Sequence, residues 1–306
     1  MLDCVVVGGG PAGLTAAIYL ARFHLDVRVI DAGHSRAASI PMTRNHAGFP
    51  DGIAGADLLD RMRAQAVRYG ARLVRAEVTA LTAAAGGLVV AIGAERLAAR
   101  SVLLATGVVN RRPAMPDDLH DAALARGLLR YCPICDGYEV TDRHVAVLGT
   151  GDHGTNEAIF LRGYTGDVTL IAPHGPHELT PEQRDRLARC GVVLADGPAT
   201  HFAIHDQAIE LNTSDRVRRF DSLYPALGSD INSRLAAGLG AARSDEGCLL
   251  VDAHQRTDIA RLYAAGDVVK GLDQISHAMG EGGVAATTIR NDLASERPLL
   301  RDTPRQ

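Results

Sequence analysis

Long runs of one charge sign, a membrane-length apolar segment and a basic leader are all missing from this 306-residue sequence. With 32 Lys and Arg against 36 Asp and Glu the net charge is −4, so the chain has no basic footprint for nucleic acid. No stretch reaches the ~18 uninterrupted apolar residues of a membrane span. From Met1 the chain runs straight into the apolar Cys4 to Val7 and then glycines, with no cleavage site, which sets the expectation of a cytoplasmic protein. Cysteine is scarce. Five cysteines, an odd number, exclude the disulfide framework of a small secreted domain. Cys4, Cys190 and Cys248 are each expected to be small buried hydrophobes. Low-complexity linkers are absent, and only the tail from Arg297 reads as loose.

What is present is one plan used twice: strand, glycine-rich turn, helix. Cys4 to Val7 is a fully apolar strand of the buried parallel type, followed by Leu14, Ala17, Ile18 and Ala21 at helical spacing. The next strand, Val27 to Ile30, ends at Asp31. The plan returns with Val145 to Leu148, a helix over Asn156 to Leu161 and a strand over Val168 to Ile171. A further apolar strand covers Val102 to Ala105, and the run Leu262 to Leu293 reads as a strand, a turn and a long helix. The fold class is therefore α/β, with two Rossmann-like dinucleotide-binding domains, the second inserted in the first. Residues 1–112 and 246–306 form the first domain, and 113–245 the insert.

Gly8, Gly10 and Gly13 stand after a strand and at the mouth of a helix, where a turn needs φ > 0 and a pyrophosphate must approach bare amides. Asp31, 18 residues beyond Gly13, can accept hydrogen bonds from a ribose. Gly149, Gly151 and Gly154 repeat the fingerprint. After Ile171, however, Ala172, Pro173, His174 and Gly175 offer neither a carboxylate for a 2′-hydroxyl nor an arginine for a 2′-phosphate. That site is either a dinucleotide site or a vestige of one.

Cys132-Pro-Ile-Cys135 is either a dithiol couple or half a zinc site. Zinc needs two further ligands, and no second CxxC pair exists, so no metal is expected. As a couple, the sulfurs can close a short disulfide beside Asp136, which either exchanges protons with a leaving thiolate or caps the turn before Gly137.

These motifs together resemble the low-molecular-weight thioredoxin reductases, class II pyridine nucleotide disulfide oxidoreductases. The carriers are Gly-Gly-Gly-Pro-Ala-Gly at 8–13, Ala105-Thr106-Gly107, Cys-Pro-Ile-Cys-Asp-Gly-Tyr at 132–138, Gly-Thr-Gly-Asp-His-Gly at 149–154 and Tyr-Ala-Ala-Gly-Asp-Val at 263–268. The resemblance implies an FAD-dependent disulfide oxidoreductase, with Asp267 on the ribityl chain and Asn45 and Gln274 near the isoalloxazine. It implies that Cys135 faces the flavin and Cys132 attacks the substrate, with Asp136 as acid and base. It also implies a homodimer and, as partner, thioredoxin, a similar dithiol protein or a small disulfide.

Two departures stand out. NADPH-using members of the family carry an arginine-rich stretch where this chain has Ala-Pro-His-Gly-Pro-His-Glu-Leu after Ile171. The donor is therefore open between NADPH and NADH, and another adenine dinucleotide can fill the second site. His277 stands where the family has a small hydroxyl or apolar residue by the flavin, so it is either a group titrating near neutral pH or an ordinary hydrogen-bonded histidine. With Tyr-Pro-Ala-Leu-Gly at 224–228, these features resemble divergent branches. Some of those are dithiol oxidases that use oxygen, and others are fed by ferredoxin or a second flavin.

Overall fold

The computed structural model describes residues 1–300. The chain folds as two compact units: Met1–Ile40, Ile53–Val109 and the chain from Ile231 onward form the first, Pro41–Gly52 and Asn110–Asp230 the second.

In the first unit, strand β1 (Leu2–Val7) lies between β2 (Val27–Asp31) and β6 (Glu95–Leu104), parallel to both. β3 (Arg72–Arg75) extends the β2 edge, and β4 (Ala80–Ala84) and β5 (Gly87–Ile92) continue antiparallel beyond β6. β16 (Leu262–Ala264) also pairs with β6. Val5 and Val6 are fully buried because both sheet faces are covered, each contributing about 1.5 to 3 kcal/mol.

Helix α1 (Pro11–Arg22) starts with Pro at its first position, where the missing N–H costs nothing. It packs closely on α8 (Ile275–Glu296), whose buried face is Ala278, Gly282, Ala285, Ala286, Ile289 and Leu293, a helical period. A side chain on Gly282 would overlap the Ala12 carbonyl, so small residues set this approach. Helix α2 (Gly55–Arg68) packs beside α1. The expected C-terminal strand, turn and helix are therefore β16 and α8. Leu299 rests on this core, so the tail from Arg297 is tied down at that point; 301–306 lie outside the described residues.

The chain crosses between units at β7 (Val108–Asn110) and β15 (Ser229–Ile231). The boundary expected at 245 moves to 230. Its cause is packing: Ala236 of α7 (Arg234–Ala237) and Ala241 share a core with Leu249 and Val268. Asn232 adds to this, donating to the Thr106 carbonyl at 2.9 Å while its own carbonyl accepts from Thr106 Oγ1 at 2.7 Å.

The second unit contains α3 (Asp117–Ala125), the short α4 (Pro133–Asp136) and a parallel sheet. In that sheet β8 (His144–Leu148) lies between β9 (Asp167–Ile171) and β14 (Ser222–Pro225), with β10 (Val193–Ala195) at the edge. Helix α5 (Gly151–Leu161) follows β8, starting five residues earlier than the apolar spacing suggests. Helix α6 (Pro181–Arg189) follows β9 and carries a capping box between Thr180 and Gln183. An antiparallel hairpin pair, β11 (Thr200–His205), β12 (Ala208–Asn212) and β13 (Val217–Phe220), completes the unit. Of the three isolated cysteines only Cys4 is buried, and burial pushes its thiol up to about 12. Cys190, the C-cap of α6, and Cys248, in irregular chain before Leu249, are half-buried. Among the described residues no helix is long and apolar enough to cross a membrane.

Candidate active site

The first glycine turn is built by backbone crowding. Gly8 has φ +111°, and a side chain there would overlap the Ala105 carbonyl; one on Gly13 would overlap the Gly8 carbonyl. Gly10 is the N-cap of α1, so the first amides of the helix receive no side-chain cap. Gly9, which the fingerprint leaves free, is also fixed, because a side chain on it would overlap the Asp31 carboxylate. Asp31 ends β2 and accepts from the Gly33 amide at 2.8 Å, with Arg63 3.7 Å away. Ala105, Thr106 and Gly107 run past this turn, Gly107 at φ +61°.

Asp267 follows β16 and receives Arg36 Nη2 at 2.7 Å; the same nitrogen lies 3.1 Å from Asp273. Burial, with Asp267 beside it, raises the Asp273 carboxyl. Gln274 is the N-cap of α8. One turn on, His277 Nε2 lies 3.0 Å from Glu281 Oε1, and the other oxygen of Glu281 accepts from the Gly266 amide at 2.6 Å. Burial raises the Glu281 carboxyl. Neither Arg36 nor Glu281 stands in a motif; their i and i+4 or long-range partners appear only on folding.

Asn45 belongs to the second unit, in the segment Pro41–Gly52, whereas Gln274 belongs to the first. Asn45 Oδ1 accepts from Thr43 Oγ1 at 3.0 Å, and its Nδ2 reaches the Ile134 carbonyl at 3.5 Å. A cavity of about 570 Å³ lies here, lined by Arg44, Asn45, Ile134, Cys135, Tyr138 and Tyr164, with Glu139 at its edge.

Cys132 and Cys135 are joined, with Cα atoms 5.2 Å apart. The local cause is α4: Pro133 occupies the first helical position, and Cys132 as N-cap accepts from the Cys135 amide at Sγ, 3.1 Å away. Asp136 closes that turn. Its Oδ2 receives Arg130 Nη1 at 2.9 Å and its Oδ1 receives the Tyr224 hydroxyl at 2.9 Å. Burial raises the Asp136 carboxyl, opposed by Arg130 and Tyr224. Asp136 is thus more than a turn cap: β14 and the loop before α4 both aim donors at it.

At the second glycine turn a side chain on Gly149 would press on Ala226 at 3.0 Å, and one on Gly154 would meet Gly149 at 2.8 Å; Gly151, at φ +59°, has open space around it. The polar groups near this turn bond to one another. Thr150 Oγ1 lies 3.4 Å from His177 Nδ1, His177 Nε2 lies 3.0 Å from the Leu170 carbonyl, and Asp152 accepts from Gln183 at 2.8 Å. His177 is buried, and burial lowers its pKa. Arg184 donates to the His177 carbonyl at 3.1 Å and Arg186 to Asn156 at 3.0 Å. No arginine stands between Ile171 and Pro181.

Residues 2–282 match the pyridine nucleotide-disulphide oxidoreductase family. The chain belongs to that family. It is 31% identical to a thioredoxin reductase of Mycolicibacterium smegmatis, over 96% of this chain and 97% of that protein. The thioredoxin reductase of Streptococcus pyogenes superposes with a TM-score of 0.88 at 26% identity, over 96% of this chain and 99% of that one. The atypical thioredoxin reductase TRi of Desulfovibrio vulgaris Hildenborough is 32% identical over 98% of this chain and all of its own, with a TM-score of 0.56. Membership makes this a flavin-dependent disulfide oxidoreductase with two Rossmann-like domains, so the disulfide in α4 is read as its redox couple.

Proposed function

We propose that this oxidoreductase is of the thioredoxin-reductase type, moving electron pairs from a reduced donor through FAD and the Cys132–Cys135 couple to thioredoxin or a similar disulfide. The observation that carries the proposal is the joined Cys132–Cys135 pair beside Asp136, with Cys135 and Asn45 lining one cavity. FAD, when bound, supplies the two-electron chemistry that links a hydride donor to a disulfide. The crowded turn at Gly8, Gly9 and Gly13 fits its pyrophosphate, with Asp31 for the ribose, Ala105 to Gly107 alongside, Asp267 for the ribityl chain, and Gln274 and Asn45 for the ring system. His277 lies with them on α8. A cytoplasmic homodimer is part of the same reading.

The chain's own chemistry is thiol–disulfide exchange. Once reduced, the Cys132 thiolate attacks the partner disulfide, forming a mixed disulfide and releasing one partner thiolate. Cys135 then attacks Cys132, which restores the internal disulfide and releases the second. Asp136 holds the proton that the sulfurs gain or lose. The FAD-loaded chain should reduce thioredoxin, and the Cys132→Ser and Cys135→Ser variants should not. A folded, colourless preparation that cannot be reconstituted with FAD would sink the proposal.

A second reading keeps the dithiol and changes the electron source or sink. The observation favouring it is the second glycine turn, where Arg184 and Arg186 both have protein partners and the loop after β9 holds none. On this reading the enzyme is a dithiol oxidase that passes electrons to oxygen, or a disulfide reductase fed by ferredoxin or a second flavin. The glycine turn, Gly149, Gly151 and Gly154, then holds NADH, NADPH or another adenine dinucleotide only weakly. Anaerobic flavin reduction by NADPH, NADH and reduced ferredoxin in turn separates the cases, and peroxide formed during aerobic turnover with dithiols identifies the oxidase.

A further inference from the structure

Three carboxyl groups lie on α4, on the turn that follows it and on α5, the helix packed against it, in the second unit. Asp136 ends the helical turn that carries the cysteines. Glu139 follows one turn later, its Oε1 3.9 Å from Arg44 Nη1. Glu157 comes from α5, which packs against α4. The charges facing this group are Arg130, bonded to Asp136, and the more exposed Arg44; the buried hydroxyl of Tyr224 completes the ring by donating to Asp136.

The carboxyls are not equivalent. Asp136 accepts from a guanidinium and a phenol, both of which favour its ionised form. Glu157 Oε1, like Glu139 Oε2, is closed off from solvent and has no hydrogen-bond partner among the described residues, but the other oxygen of Glu139 lies 3.9 Å from Arg44. A buried oxygen without a donor cannot carry charge cheaply, so a neighbouring anion and a shielded carboxyl sort themselves into one charged and one neutral group.

We propose that Glu157 stores the proton consumed when the Cys132–Cys135 disulfide opens, and that Asp136 passes it to the sulfur. The proposal rests on the disulfide-reductase reading of the same site and adds to it a positioning residue on a different element. The step balances as follows. An attacking thiolate bonds to one cysteine sulfur, the Cys132–Cys135 bond breaks, and the other cysteine leaves as a thiolate. Asp136, ionised at rest, takes the proton of Glu157 and passes it to that thiolate; water later restores the proton to Glu157. Burial, with repulsion from Asp136 added, pushes the Glu157 carboxyl up to about 7, so the store is full on the acid side of neutrality and empties as pH rises.

The test uses dithiothreitol on the whole oxidised chain, so it needs no nicotinamide and no protein partner. Rates of disulfide opening, divided by the dithiothreitol thiolate concentration, should fall about tenfold as pH rises through about 7. In Glu157→Gln that fall should vanish, with the rate near its low, alkaline value throughout. An unchanged fall in Glu157→Gln would overturn the proposal, as would a flat profile in the parent chain. Infrared difference spectra of the parent chain across the same pH range provide a check free of the variant's folding. A protonated-carboxyl band should disappear near pH 7, and its absence would equally refute the idea. Failure of thioredoxin reduction with these results intact would instead refute the broader reading.

Discussion

The two glycine turns share a fingerprint and differ in what surrounds them. At the first, side chains on Gly8, Gly9 and Gly13 would collide with the backbone or with Asp31, and no side chain caps α1. At the second, Gly151 has open space, and Thr150, Asp152, His177 and Gln183 bond to one another. The same glycine spacing therefore makes a crowded cradle beside Asp31 in one place and a self-satisfied turn in the other. A fingerprint reports the bend of the backbone; the ligand is chosen by the side chains that the next strand and loop bring alongside.

The largest effect should come from the dithiol, which both turns serve. Cys132→Ser and Cys135→Ser should each abolish disulfide reduction, by a factor of at least about a thousand in turnover. With FAD bound, Cys132→Ser should show a long-wavelength absorbance from the remaining thiolate, and Cys135→Ser should not. A band in the Cys135 variant alone would reverse the roles of the two sulfurs.

Next is nicotinamide selectivity, where the comparison is most easily broken. Two absent charge-assisted contacts to a 2′-phosphate cost roughly 3 to 6 kcal/mol, or about a hundredfold to ten-thousandfold in affinity. Flavin reduction by NADPH and by NADH should therefore be slow and similar over a concentration series. Saturation at micromolar NADPH with NADH far weaker would show that Arg184 or Arg186 leaves its partner on binding.

A glycine pair sharpens the contrast directly. Gly8→Ala should lose about 2 to 4 kcal/mol, because both its φ and the Ala105 carbonyl oppose a side chain, and should release FAD. Gly151→Ala, strained in φ alone, should cost about 1 kcal/mol. Thermal unfolding and retained flavin absorbance measure both. Equal losses would dissolve the distinction between cradle and turn.

The smallest effect concerns His177. Burial lowers its pKa in the fold, so the unfolded chain binds the proton more readily. Its contribution to stability is then present above the ordinary value of 6.5 and is lost as pH falls below it. His177→Ala should cost about 1 to 3 kcal/mol near neutrality by orphaning Thr150 and the Leu170 carbonyl, and should flatten the acid limb of chemical denaturation midpoints. An acid limb of the same slope in the variant would rule this out.

Much of the fold is legible in the sequence because buried parallel strands are written as unbroken apolar runs; β1, β8 and β9 stand where those runs stand. β6 is longer than its apolar half, since residues 95–98 are held by the β5 hairpin rather than by burial of their own. The 231–245 segment carries no sign of its allegiance, which is decided by Asn232 and by a core formed with Leu249 and Val268.

Local sequence alone determined the glycine turns, the CxxC spacing and Asp136, because each depends on neighbours within a few residues: a φ angle, a helical first turn, a carboxylate next to a cysteine. Only the tertiary structure decided which groups face them. Arg130 and Tyr224 on Asp136, Glu157 beside it, Arg36 on Asp267, Glu281 on Gly266 and His277, and His177 under Thr150 all meet through packing, mostly of separate elements. The physical reason is range. Backbone conformation is set within a turn, whereas the charge and protonation of a buried group are set by everything folded against it, whatever its distance along the chain.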